Sequence, residues 1–385
     1  MRTWIHVLWF TIHVYGQKVF EKIMYPDFDY FDIFVGVPIQ RLNAIYSIEL
    51  SNTIFYDDTC DTQSNCARHC SDETFARMYC EPACQSKYQI IFTSCNTVKS
   101  SFQKDRYSYA LIDSTTFKFL NENTWNSSVW FTNPLSGKLF TDKLVFVPTI
   151  FDWSGNLEIQ NAVMVVGTLL YEDLFGRQNN TIVGLGPGEN NMVAQLYAQN
   201  LIPHPIVHFT INSTYRTLLK IGNYGDDEHC VNWTEHANKH ENRWVLEVDS
   251  LELNGVRYER KLKALITNHD SFISVPLDFM NTVVEAGIVK KLNETETVIE
   301  DVDYYIDCNQ SLELQMTVDG RLLAIPTTLL KQRQSKSENC FPWIRKMDSL
   351  RYNNHVELII GLPFLNRFCV SFDYNEQIIR LAEQF

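Results

Sequence analysis

Two similar segments of the chain each carry a hydroxyl residue where a predicted buried strand ends. Ser47 follows the run Ala-Ile-Tyr at 44–46, and Thr267 follows the run Ala-Leu-Ile at 264–266. A hydroxyl does not ionise near neutral pH, so it serves as a nucleophile only beside a general base. The chemistry available at these positions therefore depends on the residues that follow them.

Acidic and basic residues follow both hydroxyls. Glu49, His269 and Asp270 could combine with Ser47 into the hydroxyl, imidazole and carboxylate set that performs nucleophilic catalysis. Titratable residues in one place more often form a structural cluster of hydrogen bonds and ion pairs. A metal site at Glu49 and His269 would need a third ligand, which the sequence does not identify.

The elements around these hydroxyls resemble the two active-site loops of the pepsin-like aspartic proteases. The block Tyr-Phe-Asp-Ile-Phe-Val-Gly-Val-Pro-Ile-Gln at 30–40, with Ile-Tyr-Ser-Ile-Glu-Leu-Ser-Asn-Thr-Ile at 45–54, is similar to the family's first hairpin, in which Gly-x-Pro-x-Gln precedes Asp-Thr-Gly-Ser-Ser-Asn. Residues 244–254 resemble the strand before the second loop. Residues 264–276 resemble that loop and its exit proline.

Two further segments resemble the strands that support each active-site loop in that family. They are Ile-Val-Gly-Leu-Gly at 182–186, before a predicted helix around 193–199, and Ile-Ile-Gly-Leu-Pro-Phe-Leu at 359–365, before Phe-Cys-Val-Ser-Phe-Asp at 368–373. Their unequal spacing from the two hydroxyls indicates a diverged duplication rather than a regular repeat. The resemblance implies a mainly β, two-lobed pepsin-like acid-protease fold with a few short helices and a cleft between the lobes.

Local patterns predict secondary structure of the same kind. Residues 244–253 and 359–372 are rich in β-branched and aromatic residues, which predicts strands. Asn-Gly at 254–255 and Asp-Gly at 319–320 are turn signals. Residues 276–287 begin with proline and end with glycine, which predicts a helix between them.

The resemblance also implies that the catalytic pair is missing. In aspartic proteases two carboxylates about 3 Å apart share one proton and activate a water molecule. Ser47 and Thr267 occupy the dyad-equivalent positions, and a hydroxyl cannot supply that function. The family's paired threonines, which bond across to the opposite loop, correspond to Ile48 and Asn268. Of these two, Asn268 alone has a side chain that can form such bonds.

Other parts of the family's catalytic apparatus are altered as well. Glu49 and His269 occupy the positions of two glycines, which allow close backbone approach, so we expect their side chains to fill part of the catalytic space. The segment 107–116, which corresponds to the flap, contains no glycine, and Leu111 stands where the family has its flap tyrosine. A hairpin tip without glycine or asparagine lacks the usual turn chemistry.

The N-terminus and the length divide the chain into three predicted regions. Residues 1–16 have a basic residue and an apolar stretch, as a signal peptide does, although an amphipathic strand or a disordered start would also fit. We expect an N-terminal lobe with a Cys-rich insertion at 17–205 and a C-terminal lobe at 206–385. Cleavage near Gly16 would leave no room for the basic prosegment of active family members. No later stretch reaches the length of about 18 apolar residues that a membrane span needs.

Cysteine content predicts disulfides and an oxidising compartment. The resemblance implies that Cys308 pairs with Cys340, because they flank the hairpin that the family closes with a disulfide, and this leaves Cys230 and Cys369 as a second pair in the same lobe. Two close pairs in the first lobe could instead bind zinc, but an exported protein favours disulfides. The connectivity stays open for the six cysteines of that cluster: Cys60, Cys66, Cys70, Cys80, Cys84 and Cys95.

Surface features agree with an exported glycoprotein. A formal net charge of -13 disfavours nucleic acid or an anionic membrane as a partner. We expect a secreted or extracellular location, or the lumen of the secretory or endolysosomal pathway. Six Asn-x-Ser/Thr sequons predict glycosylation, and they lie at Asn126, Asn179, Asn212, Asn232, Asn293 and Asn309.

These observations predict a catalytically inactive, secreted pseudoprotease that binds a peptide or protein in or near its cleft. We expect a monomer without cofactor or metal. A cleft between lobes suits an extended peptide. One alternative is an active aspartic-type endopeptidase with a rearranged acid pair. Another is a glycosylated structural ectodomain whose cleft is vestigial.

Overall fold

A computed structural model of the 385-residue chain describes residues 20–24, 31–55, 114–127, 135–147, 156–169, 181–188, 190–211, 217–224, 229–292, 303–333, 339–347 and 356–384. Several sequence predictions lie outside these residues: the signal peptide at 1–16, the six-cysteine cluster, Leu111, Asn179, Asn212 and Asn293. Asn232 and Asn309 are exposed, and their glycosylation stays a prediction, as it does for Asn126.

Strands dominate the described chain up to residue 221, with one short helix, and the second half, taken from residue 206, begins with the last two of these strands. The elements are β1 (Phe20–Met24), β2 (Phe31–Val35), β3 (Gln40–Ser47), β4 (Ile54–Phe55), β5 (Lys118–Ser127), β6 (Leu135–Phe146), β7 (Leu157–Leu169), β8 (Thr181–Gly184), α1 (Met192–Ala198), β9 (Ile206–Ile211) and β10 (Thr217–Ile221).

The second half contains more and shorter strands, with three short helices among its described residues. The elements are β11 (Cys230–Ala237), β12 (Val245–Val248), β13 (Ser250–Leu253), β14 (Val256–Tyr258), β15 (Leu262–Ile266), β16 (Ile273–Val275), α2 (Leu277–Glu285), β17 (Lys290–Lys291), β18 (Tyr304–Asp307), β19 (Leu314–Val318), β20 (Arg321–Ile325), α3 (Thr327–Leu330), β21 (Lys331–Arg333), β22 (Asn339–Pro342), β23 (Ile344–Lys346), β24 (Leu358–Ile360), α4 (Leu362–Leu365), β25 (Phe368–Asp373) and β26 (Ile378–Gln384).

The strands form sheets that belong mostly to one half of the chain. A seven-stranded sheet has the order β2-β3-β8-β4-β7-β6-β5, and a five-stranded sheet has the order β12-β15-β24-β16-β23. A six-stranded sheet, β1-β10-β9-β25-β26-β11, joins strands from both halves. Two four-stranded sheets, β14-β13-β19-β20 and β17-β18-β22-β21, complete the set. The prediction of a mainly β fold with a few short helices is confirmed.

The two halves repeat one strand arrangement at their centres. In the first half β3 runs parallel to β8, and β8 pairs antiparallel with β4. In the second half β15 runs parallel to β24, and β24 pairs antiparallel with β16. The repeated pattern places Ser47 opposite Gly184 and Ile266 opposite Ile360. It is the structural counterpart of the internal similarity in the sequence.

Helices begin and end where the local sequence permits. The predicted helix in 276–287 is confirmed as α2, which follows Pro276 and precedes Gly287 at φ +72°. The run 359–372, whose composition predicts strands, contains most of β24 and β25. The helix α4 interrupts it, because Pro363 fits the first turn of a helix, where no backbone N–H is needed.

Buried aromatic side chains join the two halves. Tyr46 and Phe209 pack with ring centroids 5.3 Å apart. The fully buried Trp244 donates from Nε1 to the carbonyl oxygen of Leu185 at 3.4 Å, and the hydroxyl of Tyr374 donates to the same oxygen. One core cluster therefore includes side chains from both halves.

Two disulfides cross-link the second half. They join Cys230 to Cys369 and Cys308 to Cys340, with Cα atoms 6.0 Å and 4.9 Å apart. The resemblance implies these same two pairs. The first of them ties β11 to β25 within the six-stranded sheet.

None of the helices in the described parts of the chain has the length and apolar character that a membrane crossing requires.

Candidate functional site

The first of the two hydroxyls predicted at dyad-equivalent positions is bonded within its own loop. Ser47 ends β3 and is fully buried. Its Oγ accepts hydrogen bonds from the backbone N–H groups of Glu49 at 3.3 Å and Leu50 at 3.1 Å. A serine that accepts from amides two and three residues on stabilises a turn. The hydroxyl thus holds the loop in shape.

The second of these two hydroxyls has a similar local role. Thr267 directly follows β15 and is buried. Its Oγ1 accepts from the backbone N–H of His269 at 3.0 Å, and its own N–H donates to the carbonyl oxygen of Ile360 at 3.0 Å. The two loops are therefore built alike, each with a hydroxyl that bonds to the residues after it.

Glycines allow the supporting strands to approach these loops. A Cβ on Gly184 would lie 2.3 Å from the carbonyl oxygen of Asn52, and a Cβ on Gly361 would lie 2.2 Å from that of Asp270. Contacts this short are not compatible with a side chain, so only glycine fits both positions. The supporting strands predicted from the two hydrophobic-hydrophobic-Gly motifs are present as β8 and β24.

One side chain bonds the two loops to each other. The Oδ1 atom of Asn268 accepts from the N–H of Ile48 at 3.1 Å, and its Nδ2 donates to the carbonyl oxygen of Tyr46 at 2.9 Å. The amide of Asn268 thus crosses from the second half to the first, as its donor and acceptor groups permit. Ile48, which occupies the other threonine position, is buried and apolar.

Glu49 is a buried acid at the meeting point of the loops. It is 1% exposed, and neither carboxyl oxygen has a hydrogen-bond partner among the residues that the structure describes. Burial raises the pKa of this carboxyl well above 4.5, the negative charge of Asp270 raises it further, and the charge of Arg243 opposes the shift. Burial therefore favours the protonated form of Glu49.

Asp270 is committed to an ion pair. Its Oδ2 accepts from Nη2 of Arg345 at 2.7 Å, and its Oδ1 accepts from the N–H of Phe272 at 2.9 Å. Arg345 also donates from Nε to Ser274 Oγ at 3.0 Å and lies over the ring of Phe272 at 4.7 Å. These contacts hold the exit of the second loop, so the carboxylate of Asp270 has a structural role.

His269 is held neutral by its surroundings. Its ring atom Nε2 is shielded from solvent, and burial lowers the pKa of the imidazole from 6.5 to about 4. Ser47 Oγ accepts hydrogen bonds from two amides of its own loop, and the described residues contain no bond between Ser47 and His269. A nucleophilic triad requires that bond, and the geometry disfavours this hypothesis.

Metal ligands are not grouped at this site. Within the ranges that the structure covers, no three His, Cys, Asp or Glu side chains are placed to hold a metal ion. A third ligand for Glu49 and His269 is therefore not found there. The zinc hypothesis for the first-lobe cysteines lies outside the described residues.

Two arginines of the site were missed from the sequence. Arg345 reaches Asp270 across 75 residues of chain, and no local pattern indicates such a pairing. Arg243 immediately precedes the segment 244–254, whose resemblance to the family was recognised, and its basic charge next to a buried strand could have been a signal. Both cations become evident only when the loops come together.

Only the end of the flap-equivalent segment is described. Thr115 donates from its backbone N–H to the carbonyl oxygen of Val37 at 2.7 Å, and the N–H of Val37 donates to Ser114 Oγ at 3.2 Å. The end of 107–116 is thereby attached to the turn between β2 and β3. The placement of Leu111 stays a prediction.

Comparison with known proteins gives one match. A family model described as eukaryotic aspartyl protease matches residues 84–384. The match includes Thr267, both supporting glycines and both described disulfides, whereas Ser47 lies before it. No curated protein matches the chain.

Proposed function

The chain belongs to the eukaryotic aspartyl protease family, and from this premise we propose that it is a secreted or lumenal pseudoprotease that binds a peptide or protein without cleaving it. The observation that carries the proposal is the environment of Ser47 and Thr267. Both stand at the dyad-equivalent positions, and both hydroxyls are bonded to backbone amides of their own loops. Neither can take or supply the proton that peptide hydrolysis requires.

An active protease would need another acid pair, and Glu49 with Asp270 is the nearest candidate. The charge of Asp270 raises the pKa of Glu49, as happens when two carboxylates share a site. However, Glu49 is 1% exposed, and Asp270 is bonded to Arg345. Catalysis requires both carboxyl groups to contact a water molecule and a substrate. Their burial and pairing therefore favour a structural role over cleavage.

The retained scaffold supports binding. We propose that the halves at 17–205 and 206–385 form two lobes with a cleft, in which an extended peptide is held by main-chain hydrogen bonds and selected by side-chain pockets. The loops at Ser47 and Thr267 keep their glycine supports and their cross-connection through Asn268. A scaffold kept in order at its centre suits a binding role better than a vestigial cleft.

The proposal is tested by separating cleavage from binding. The purified chain is incubated from about pH 3 to about pH 7, the range in which paired carboxylates titrate, with a peptide mixture and an unfolded protein, and the products are examined by mass spectrometry. Binding to immobilised pepstatin-like peptides is measured in parallel. We expect retention on the peptides and no new cleavage products.

Variants decide the origin of any cleavage that is seen. Glu49→Gln and Asp270→Asn would abolish it if the rearranged acid pair were active, whereas Glu285→Gln, at an exposed position of α2, serves as the matched control. Cleavage lost in the first two variants alone would establish the active endopeptidase. If the protein shows no cleavage and binds no peptide, the result would favour the structural ectodomain.

A further inference from the structure

The buried carboxyl group of Glu49 is placed where a change of charge would be felt. Neither of its oxygens is hydrogen-bonded within the described part of the chain, and the side chain is almost completely buried. An ionised carboxylate in this position would lack both water and the donors that normally stabilise its charge. The neutral, protonated form is therefore the one that fits the site.

Charged groups from other elements surround this carboxyl. Asp270, in the loop after β15, adds a second negative charge, and Arg243, just before β12, adds a positive one. The charge of Asp270 is balanced by Arg345 on β23. His269, beside Asp270, is neutral above about pH 4. The positive charge of Arg243 reduces the penalty for ionising Glu49, but burial outweighs it.

The backbone of Glu49 is fixed on both sides. Its N–H donates to Ser47 Oγ, and its carbonyl oxygen lies so close to Gly186 that a Cβ there would be 2.5 Å away. The preceding residue, Ile48, is bonded to Asn268 in the other half. The carboxylate cannot reach solvent unless this loop moves, and movement of the loop disturbs the contact with Asn268.

We propose that Glu49 is a proton-dependent switch for the contact between the loops at Ser47 and Thr267. The neutral carboxyl keeps the loops together in an acidic compartment. Release of its proton to water leaves a carboxylate that draws the loop toward solvent and loosens the contact. The device would distinguish an acidic lumen from a neutral exterior, and it does not depend on whether the cleft binds a peptide.

The direction of the effect follows from the two states. Burial raises the pKa of Glu49 in the closed form well above 4.5, whereas the opened or unfolded chain titrates near 4.5. Between these values the closed form holds a proton that the opened form has lost. The contribution of Glu49 to the stability of the closed form is thus largest at or below pH 4.5, and it is lost as the pH rises.

The test compares the pH dependence of folding in two variants. Urea unfolding is measured from about pH 4 to about pH 8 for the wild type and for Glu49→Gln, whose amide cannot ionise. We expect the unfolding equilibrium constant of the wild type to rise relative to that of Glu49→Gln by up to tenfold per pH unit above 4.5. The control is Glu285→Gln. The ratio of the unfolding equilibrium constant of the wild type to that of this variant should not change with pH.

A second measurement uses the wild type alone, in case the variant does not fold. Infrared spectra recorded as the pH rises should retain the C=O stretch of one protonated carboxyl after the exposed acids have ionised. Amides of the loop, such as that of Ile48, should exchange hydrogen faster as that band disappears, after correction for intrinsic exchange. The proposal would be overturned if the ratio of the unfolding equilibrium constants of the wild type and Glu49→Gln did not change with pH. It would also be overturned if the infrared band of the protonated carboxyl were lost together with the bands of the exposed acids.

Discussion

At the scale of single residues, the site is held by bonds that a catalytic pair would not make. Ser47 and Thr267 each stabilise their own turn, and the side chain of Asn268 bonds the second loop to the first. An amide has a donor and an acceptor on one side chain, so a single residue can do what the family accomplishes with two threonines. The amide of Asn268 thus helps to hold the two loops together.

We expect Asn268→Ala to destabilise the protein by about 2 kcal/mol, because it leaves the N–H of Ile48 and the carbonyl oxygen of Tyr46 without their partner. Chemical unfolding measures the loss. Asn268→Thr should lose less, since a hydroxyl restores one of the two bonds. Asn242→Ala, at an exposed position, is the control. Equal stability of Asn268→Ala and the control would contradict the bridging role.

At the scale of elements, the glycine at the centre of each half cannot be replaced by a residue with a side chain without a steric clash. The parallel pairs β3 with β8 and β15 with β24 bring a strand against a loop with no space for a side chain. The resemblance to the pepsin-like family identified the supporting strands, and short apolar runs that end in Gly are typical of buried strands at a close backbone approach.

Gly184→Ala and Gly361→Ala should each destabilise the fold by more than about 3 kcal/mol, because the added Cβ would meet a backbone carbonyl that cannot turn away. Gly255→Ala provides the comparison. Its φ is +86° but a Cβ there meets nothing within 4 Å, so the cost should be about 1 kcal/mol. Thermal and urea unfolding of the three variants check the order, and similar losses would show that backbone conformation matters more than close approach.

Other features of the site could not be predicted from the sequence for physical reasons. Local pattern located α2 and the central strands, since periodicity and capping act over a few residues. The bond of Asn268 to Ile48 joins residues 220 positions apart. The match of Glu49 to a family glycine predicted that its side chain fills part of the catalytic space, but its proximity to Arg243 depends on tertiary packing. Composition also did not distinguish residues 362–365, which form one turn of helix, from the strands on either side.

At the scale of the whole molecule, two buried groups make the stability depend on pH in opposite directions. The raised pKa of Glu49 means that stability is lost as the pH rises above 4.5. The pKa of His269 is lowered from 6.5 to about 4, so the unfolded chain takes up a proton first and stability is lost as the pH falls below 6.5. Between 4.5 and 6.5 the two slopes oppose each other.

We therefore expect the stability of the wild type to change little with pH in that window. In His269→Gln the pH dependence due to Glu49 should remain, so that stability falls as the pH rises. In Glu49→Gln the pH dependence due to His269 should remain, so that stability rises with pH. The double variant should again be nearly flat. Urea unfolding at several pH values measures all four proteins, and parallel profiles for the two single variants would refute the assignment of the opposing slopes.

The indole of Trp244 gives the molecule an optical consequence. The ring is fully buried, stacks on Phe372 with centroids 4.8 Å apart, and donates its N–H to Leu185 in the other half. Separation of the halves would break that bond and admit water, and the emission of a hydrated indole moves to longer wavelength. Tryptophan fluorescence thus reports whether the halves are joined when Trp244 is the one tryptophan kept of the eight in the chain.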